Sequence, residues 1–286
     1  MKPEISLLGA KEIREIAASL DLIPSKGLGQ NFVHDANTCE KIVRLADLKD
    51  SDHVVEIGPG LGSLTLALLR AGARVTAVEI DKRLAARLPE TLRDHGAPKD
   101  SFKVITADAL QLECGEVPAG SLLVANLPYN VSVPVILHIL AMKRIDRAVV
   151  MVQSEVASRL AAKPGSKDYG VPSAKVAWFA DASIADRVSA KVFWPVPRVD
   201  SSLLTLHTHQ PLGEESDQEM TFKVIDAAFN QRRKMLRSSL ETLINHYLPH
   251  QSSAEVLELS GIEATERAES IDIKGFLAIA KTLLRR

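Results

Sequence analysis

From Val54 to Val152 short apolar runs alternate with stretches of helical periodicity, and no other property of the chain restricts its architecture as much. The runs Val54-Val55-Glu56-Ile57, Val75-Thr76-Ala77-Val78, Val104-Ile105, Leu122-Leu123-Val124-Ala125 and Val149-Val150-Met151-Val152 read as strands. Residues 63–70, 82–93, 133–142 and 155–162 read as helices. Strands that are apolar throughout and alternate with helices build a parallel sheet covered on both faces. The expectation is an α/β fold whose ligands lie beyond the carboxyl ends of the strands.

Leu8, Ile13, Ile16 and Leu20 give residues 8–20 an amphipathic helical spacing, ahead of Pro24 and the polar loop 25–31. Asp35 is placed to cap a helix running to Leu45. Two later runs, 184–192 and 201–207, flank Phe193-Trp194-Pro195-Val196-Pro197-Arg198 and suit an antiparallel pair that completes the sheet. Residues 210–218 are polar and read as a linker, after which only helical patterns follow. The expected segments are an N-terminal helical extension at 1–24, the main domain at 25–209 and a small all-helical domain at 210–286.

Lys and Arg number 35 against 36 Asp and Glu, so capture of nucleic acid by net charge is not expected and any such contact needs a local basic patch. Cys39 and Cys114 are the only cysteines, too few for a disulfide framework, a thiolate zinc site or an iron–sulfur cluster. That usage suits a reducing compartment. Early acids (Glu4, Glu12, Glu15) and the lack of a long apolar stretch fit neither a leader peptide nor a membrane span, so a cytoplasmic location is expected.

The first strand runs into Glu56-Ile57-Gly58-Pro59-Gly60-Leu61-Gly62. Missing β-carbons there let a ligand lie against the backbone and let a helix begin at once. Glu79 ends the next strand, roughly 20 residues on, where a carboxylate can accept hydrogen bonds from both hydroxyls of a ribose. The spacing Gly-x-Gly-x-Gly lacks the third position of the dinucleotide fingerprint, which weighs against NAD. Asp108, in Thr106-Ala107-Asp108-Ala109, could accept from an adenine amino group. An adenosine ligand without a pyrophosphate fits best, and S-adenosylmethionine meets that description. Each element alone has a plainer reading as a tight turn or a helix cap. Their order along the chain favours a donor site.

Asn126-Leu127-Pro128-Tyr129 follows the fourth strand. The Asn126 side-chain oxygen, the Leu127 carbonyl held by Pro128, and the Tyr129 ring are the parts needed to hold a flat exocyclic amine. Such an amine is a poor nucleophile, and two acceptors drawing on its N–H groups would favour a pyramidal nitrogen and stabilise charge developing in transfer. Tyr129 would stack on the base. The plain alternative is a strand-ending turn, since Asn and Pro both favour turns. Phe193 could form the opposite wall of the base slot, with core packing as an equal explanation.

These residues resemble the family of rRNA adenine N6-dimethyltransferases over nearly the whole chain. Gly27-Leu28-Gly29-Gln30-Asn31-Phe32-Val33 is similar to its N-terminal donor-binding motif, and Val192 to Ser201 to its later signature near the target base. The resemblance implies a Rossmann-like class I methyltransferase sheet with flanking helices. It also implies donor contacts from Asn31, Val33, Gly58, Gly60, Glu79, Asp108 and Asn126, with no metal. Val33 stands where leucine is common in the family, a change that a backbone contact would survive. Phe229 to Arg237 resembles the small-subunit members, which dimethylate two adjacent adenines in the terminal hairpin of 16S rRNA. Arg232, Arg233, Lys234 and Arg237, interleaved with apolar residues, suggest a helix with one basic face that grips phosphates, or else a solvated surface helix. The implied partner is 16S rRNA within an immature 30S particle, met by a monomer with no obligate protein partner and no membrane. A 23S rRNA or DNA adenine methylase and a non-catalytic assembly factor remain as alternatives.

Overall fold

The computed structural model describes residues 4–25, 27 and 29–285, so Leu28 of the N-terminal motif lies outside the described residues. The chain divides into two compact units, one made of residues up to 157 with 183–208, the other of 158–182 with 209 onward.

In the first unit, α1 (Ala10–Ser19), β1 (Phe32–Val33) and α2 (Ala36–Ala46) precede the sheet. Asp35 caps α2 by accepting the Thr38 N–H at 2.9 Å. Then β2 (His53–Ile57), α3 (Ser63–Arg70), β3 (Arg74–Glu79), α4 (Lys82–Asp94), β4 (Phe102–Thr106), β5 (Ser121–Asn126), α5 (Ser132–Ala141), β6 (Ile145–Gln153) and α6 (Ser154–Leu160) alternate as the pattern predicts. After α7 (Val171–Val176) come β7 (Ala180–Val188), β8 (Phe193–Trp194) and β9 (Ser201–Thr208). The seven-stranded sheet has the order β4-β3-β2-β5-β6-β9-β7. Strands β2 to β6 pair in parallel, and β9 runs antiparallel to β6 from Gln153↔Ser201 to Arg147↔His207. The two later runs thus lie side by side at one edge.

Val54, Val55, Leu123 and Val124 are fully buried, the reason these strands are apolar without alternation. The order reverses between β2 and β5, opening a crevice at their carboxyl ends. Ile5, Leu8, Ile13 and Ala17 belong to the same core, so the N-terminal segment is an integral layer of this unit. A separate two-stranded ribbon pairs Phe32 with Trp194 and Val33 with Phe193.

The second unit contains α7, α8 (Glu215–Asn230), α9 (Leu236–Ser239), α10 (Glu241–Tyr247), α11 (Ser253–Leu259) and α12 (Ile273–Leu284). Its core gathers Tyr169, Ala174, Val224, Phe276 and Ile279, and the Tyr169 hydroxyl donates to the Ile271 carbonyl at 2.8 Å. Residues 158–182, placed by sequence with the sheet, pack here because Tyr169 and its neighbours are core for these helices. The polar stretch 210–218 is linker only in part, since α8 starts at Glu215 with Glu215 and Asp217 at its positive end.

The basic run is not the expected helix. Helix α8 stops at Asn230, and Lys234 N–H closes a turn onto the Gln231 carbonyl at 2.8 Å. Leu236 N–H donates to the Glu266 carbonyl at 2.7 Å and Arg237 N–H to the Ala264 carbonyl at 3.3 Å. Tertiary acceptors have replaced the helical ones.

Candidate active site

The glycine turn between β2 and α3 holds Gly58, Gly60 and Gly62 at φ of 70°, 57° and 100°. A β-carbon on Gly60 would lie 2.9 Å from Cδ1 of Phe32, and one on Gly62 2.9 Å from Cδ1 of Leu88. Only glycine therefore lets β1 and α4 close against the turn. Beside it opens a cleft lined among others by Asn31, Val33, Glu79, Ile80, Asp108 and Asn126.

Two buried carboxyls lie under the turn. Glu79 is 5% exposed and accepts the Gly60 N–H at 3.1 Å on one oxygen and the Asp81 N–H at 2.9 Å on the other. Burial pushes its pKa up, opposed by those backbone donors. A carboxylate offers about four acceptor sites, so both oxygens retain capacity for ribose hydroxyls. Glu56 is 1% exposed and accepts the Thr65 hydroxyl at 2.6 Å. Burial raises its pKa to about 8, the Thr65 bond pulling down and the Glu79 charge pushing further up. Asp108 is exposed, and one of its oxygens caps the following turn by accepting the Leu110 N–H at 2.9 Å.

On the opposite wall Asn126 ends β5, and its Nδ2 donates to the Asn31 carbonyl at 3.1 Å. That bond fixes the orientation of the carboxamide, and with it the direction in which Oδ1, its only acceptor, is presented to an amine N–H. Leu127 N–H pairs with the Met151 carbonyl at 3.0 Å, while the Leu127 carbonyl receives no hydrogen bond among the described residues. Asn130 Nδ2 donates to the Gly27 carbonyl at 3.0 Å, and Gly29 packs on Pro128. On the far side Gln30 accepts the Ser25 N–H at 2.8 Å and donates to Asp81 at 3.2 Å. Gly27 and residues 29–31 therefore belong to a strap tied to both walls. Tyr129 and Ser201 share a hydroxyl hydrogen bond of 2.7 Å, and burial pushes the Tyr129 phenol up.

Not every candidate lies where the sequence suggested. Phe193 is 1% exposed and packs in the first unit's core, so its ring face is taken; neighbouring Trp194 stacks on Phe32 with centroids 6.2 Å apart. In the basic run Arg232 is spent internally, donating to the Lys167 carbonyl at 2.7 Å and to Glu269 at 3.2 Å. Arg233, Lys234 and Arg237 are exposed. Gln30, Asn130 and Ser201 are given no role of their own by the sequence; Gln30 lies within a motif, Asn130 adjoins one and Ser201 closes one, but the partners Asp81, Gly27 and Tyr129 are remote in the chain.

Residues 25–283 match the family described as ribosomal RNA adenine dimethylase. This chain belongs to that family. Relatives called ribosomal RNA small subunit methyltransferase A include one from Corynebacterium jeikeium, 48% identical over 99% of this chain and 98% of the relative, and one from Kineococcus radiotolerans, 51% identical over 96% and 91%. Among solved structures, the 23S rRNA methyltransferase ErmE is 27% identical with a TM-score of 0.63, covering 89% of this chain and all of that one. A dimethyladenosine transferase from Plasmodium falciparum superposes with a TM-score of 0.73 over 87% of this chain and 95% of its own, and at 24% identity it bears on the fold. As a ribosomal RNA adenine dimethylase the chain is an S-adenosylmethionine-dependent methyltransferase with rRNA adenine as acceptor. Among the described residues no three His, Cys, Asp or Glu side chains could hold a metal ion, and no helix is long and apolar enough to cross a membrane.

Proposed function

We propose that this enzyme transfers two methyl groups to N6 of each of two adjacent adenines in the 3′-terminal hairpin of 16S rRNA. It acts as a cytoplasmic monomer on an immature 30S particle. The relatives' small-subunit names support the choice of RNA, and the bond from Asn126 Nδ2 to the Asn31 carbonyl carries the chemical reading. With the carboxamide oriented by that bond, Asn126 Oδ1 and the Leu127 carbonyl draw on the two N–H groups of the target amine. Pro128 holds the Leu127 carbonyl, and Tyr129 stacks on the flipped base.

S-adenosylmethionine supplies a methyl carbon made electrophilic by its sulfonium. Glu79 holds the ribose, Asp108 the adenine amino group, and Asn31, Val33, Gly58 and Gly60 the remaining length of the donor. The amine lone pair would attack the methyl carbon in line as its bond to sulfur breaks, the electron pair staying on sulfur, which leaves as a neutral thioether; the acceptors stabilise the growing positive charge on nitrogen, and the proton leaves to solvent after transfer. In the second round one N–H remains, so one acceptor suffices and the other side of the slot admits the first methyl. Arg233, Lys234 and Arg237 contact phosphates, with Arg232 bracing their turn.

The test is to incubate the protein with labelled donor and immature 30S particles lacking the modification, then map the labelled nucleoside. Dimethyladenosine at two neighbouring positions near the 3′ end is expected. Label confined to 23S rRNA would overturn the substrate assignment. For the basic run, neutralising Arg233 and Lys234 should flatten the dependence of log affinity on log salt by roughly 0.7–0.9 for each phosphate that the protein no longer neutralises. An unchanged slope removes them from the RNA interface.

A further inference from the structure

The late signature 192–201 resembles a target-base motif, yet its aromatic Phe193 lies in the core. What the signature does deliver to the acceptor loop is its last residue. Ser201 is fully buried at the first position of β9, paired across to Gln153 at the end of β6. That register is pinned on both sides. The preceding Asp200 accepts the Ala190 N–H at 2.9 Å and, through its carbonyl, the Ser154 N–H at 3.1 Å, while Ser202 shares a hydroxyl bond of 2.9 Å with Ser154. From this fixed place the Ser201 hydroxyl meets the Tyr129 hydroxyl at 2.7 Å, and among the described residues each of these two oxygens bonds only to the other.

We infer that Ser201 is a positioning residue for methyl transfer: it holds the Tyr129 ring, through its hydroxyl, in the plane where the target adenine stacks. A tyrosine side chain has two free torsions, and the bonds that hold the loop after β5 (Leu127 N–H to the Met151 carbonyl, Asn130 Nδ2 to the Gly27 carbonyl, the Ser132 hydroxyl to the Tyr129 carbonyl) fix its backbone and neighbours but not the Tyr129 ring. The bond at the far end of the side chain removes the swing that the near end permits. An aromatic platform tethered at its edge presents its face to the base without ordering at each turnover. This rests on the proposed stacking role of Tyr129. It differs from a packing role because its effect passes through one oxygen.

The variants Ser201→Ala, Tyr129→Phe, their combination and Tyr129→Ala, made in the full chain, test it. Steady-state rates are measured on undermethylated 30S particles, with donor affinity by calorimetry and folding by circular dichroism. Loss of one neutral hydrogen bond predicts about a tenfold fall in kcat for Ser201→Ala and for Tyr129→Phe, with donor Kd unchanged. The combined variant should be no slower than either single one, since both delete the same bond. If the two losses multiply, or if Ser201→Ala keeps full kcat while Tyr129→Ala is slow, Ser201 does not act through Tyr129 and the inference falls. Full kcat in Tyr129→Ala overturns the stacking reading and this inference with it. Should Ser201→Ala fail to fold, Tyr129→Phe alone decides, because it leaves the serine in place; full kcat there overturns the tether.

Discussion

The two walls of the cleft are built on different principles. The donor wall is local and lined with carboxyls: Glu56, the glycine turn and Glu79 sit on adjacent strands, and Glu79 is satisfied by backbone N–H groups of its own turn and the neighbouring one. The acceptor side is neutral and held from afar, with Asn126 bonded to Asn31 and Asn130 to Gly27 along the cleft and, beyond its lining, Tyr129 to Ser201. Charge suits a cationic donor that must be retained. A slot of neutral oxygen acceptors suits an amine whose positive charge appears only as it reacts, because the attraction of those dipoles grows with that charge.

If ionising a carboxyl inside the donor wall is unfavourable, Glu56 should reveal it most strongly. Its folded pKa of about 8 lies above the ordinary 4.5, so the stability it contributes is complete below pH 4.5 and is lost as pH rises through 8. Glu56→Gln should abolish that decline, a difference of up to about 5 kcal/mol at about 1.4 kcal/mol per pKa unit. Denaturant titrations between pH 4 and pH 9 would measure it, and parallel curves for the two proteins would contradict a buried, protonated Glu56.

The acceptor wall is tested next by Asn126→Ala, which should cut kcat about 10²- to 10³-fold, the usual cost of removing one group that stabilises developing charge. Single-turnover rates at saturating donor give the answer; a loss confined to donor affinity would make Asn126 part of the donor wall instead. Conversely, Glu79→Ala should weaken donor binding about tenfold or more, at ~1.5–3 kcal/mol for a hydrogen bond to a charged group, while kcat at saturating donor changes far less. Calorimetry distinguishes these outcomes. The smallest effect belongs to Asn130→Ala, which frees one end of the strap and should raise the donor KM a few-fold, about 1 kcal/mol or less for a partly exposed bond. Equal KM values would mean that Gln30 and Gly29 hold the strap unaided.

The same contrast decides what could be read in the sequence. The donor wall was legible because its parts recur at strand ends: β2 to β6 announce themselves as apolar runs, Ser63 to Arg70 forms α3, and Asp35 caps α2. Asn126 could be placed for the same reason, at the end of β5. Its orientation could not, since that depends on a carbonyl 95 residues earlier, and the Asn130 bond spans 103. Phe193 has the composition of a base-slot residue and the surroundings of a core residue, a matter only packing settles. The basic run fails as a helix because Glu266 and Ala264 offer its amides better-placed carbonyls than the next turn would. Residues 158–182 carry no signal at all that their partners lie beyond residue 209.

That last arrangement has a consequence for how the chain is born. Its path passes from the first unit to the second at residue 158, back at 183 and out again at 209. During vectorial synthesis Tyr169 and Ala174 emerge long before Phe276 and Ile279, which close the core around them. Until the last helix leaves the tunnel, a large aromatic and a small apolar residue wait in water, while the sheet upstream has already received β9. A cut at the polar stretch after residue 209 makes this wait permanent in both fragments: one keeps apolar side chains with no cover, the other a cover with no filling. No single cut therefore separates the two units, and neither can be lent to another protein by one splice.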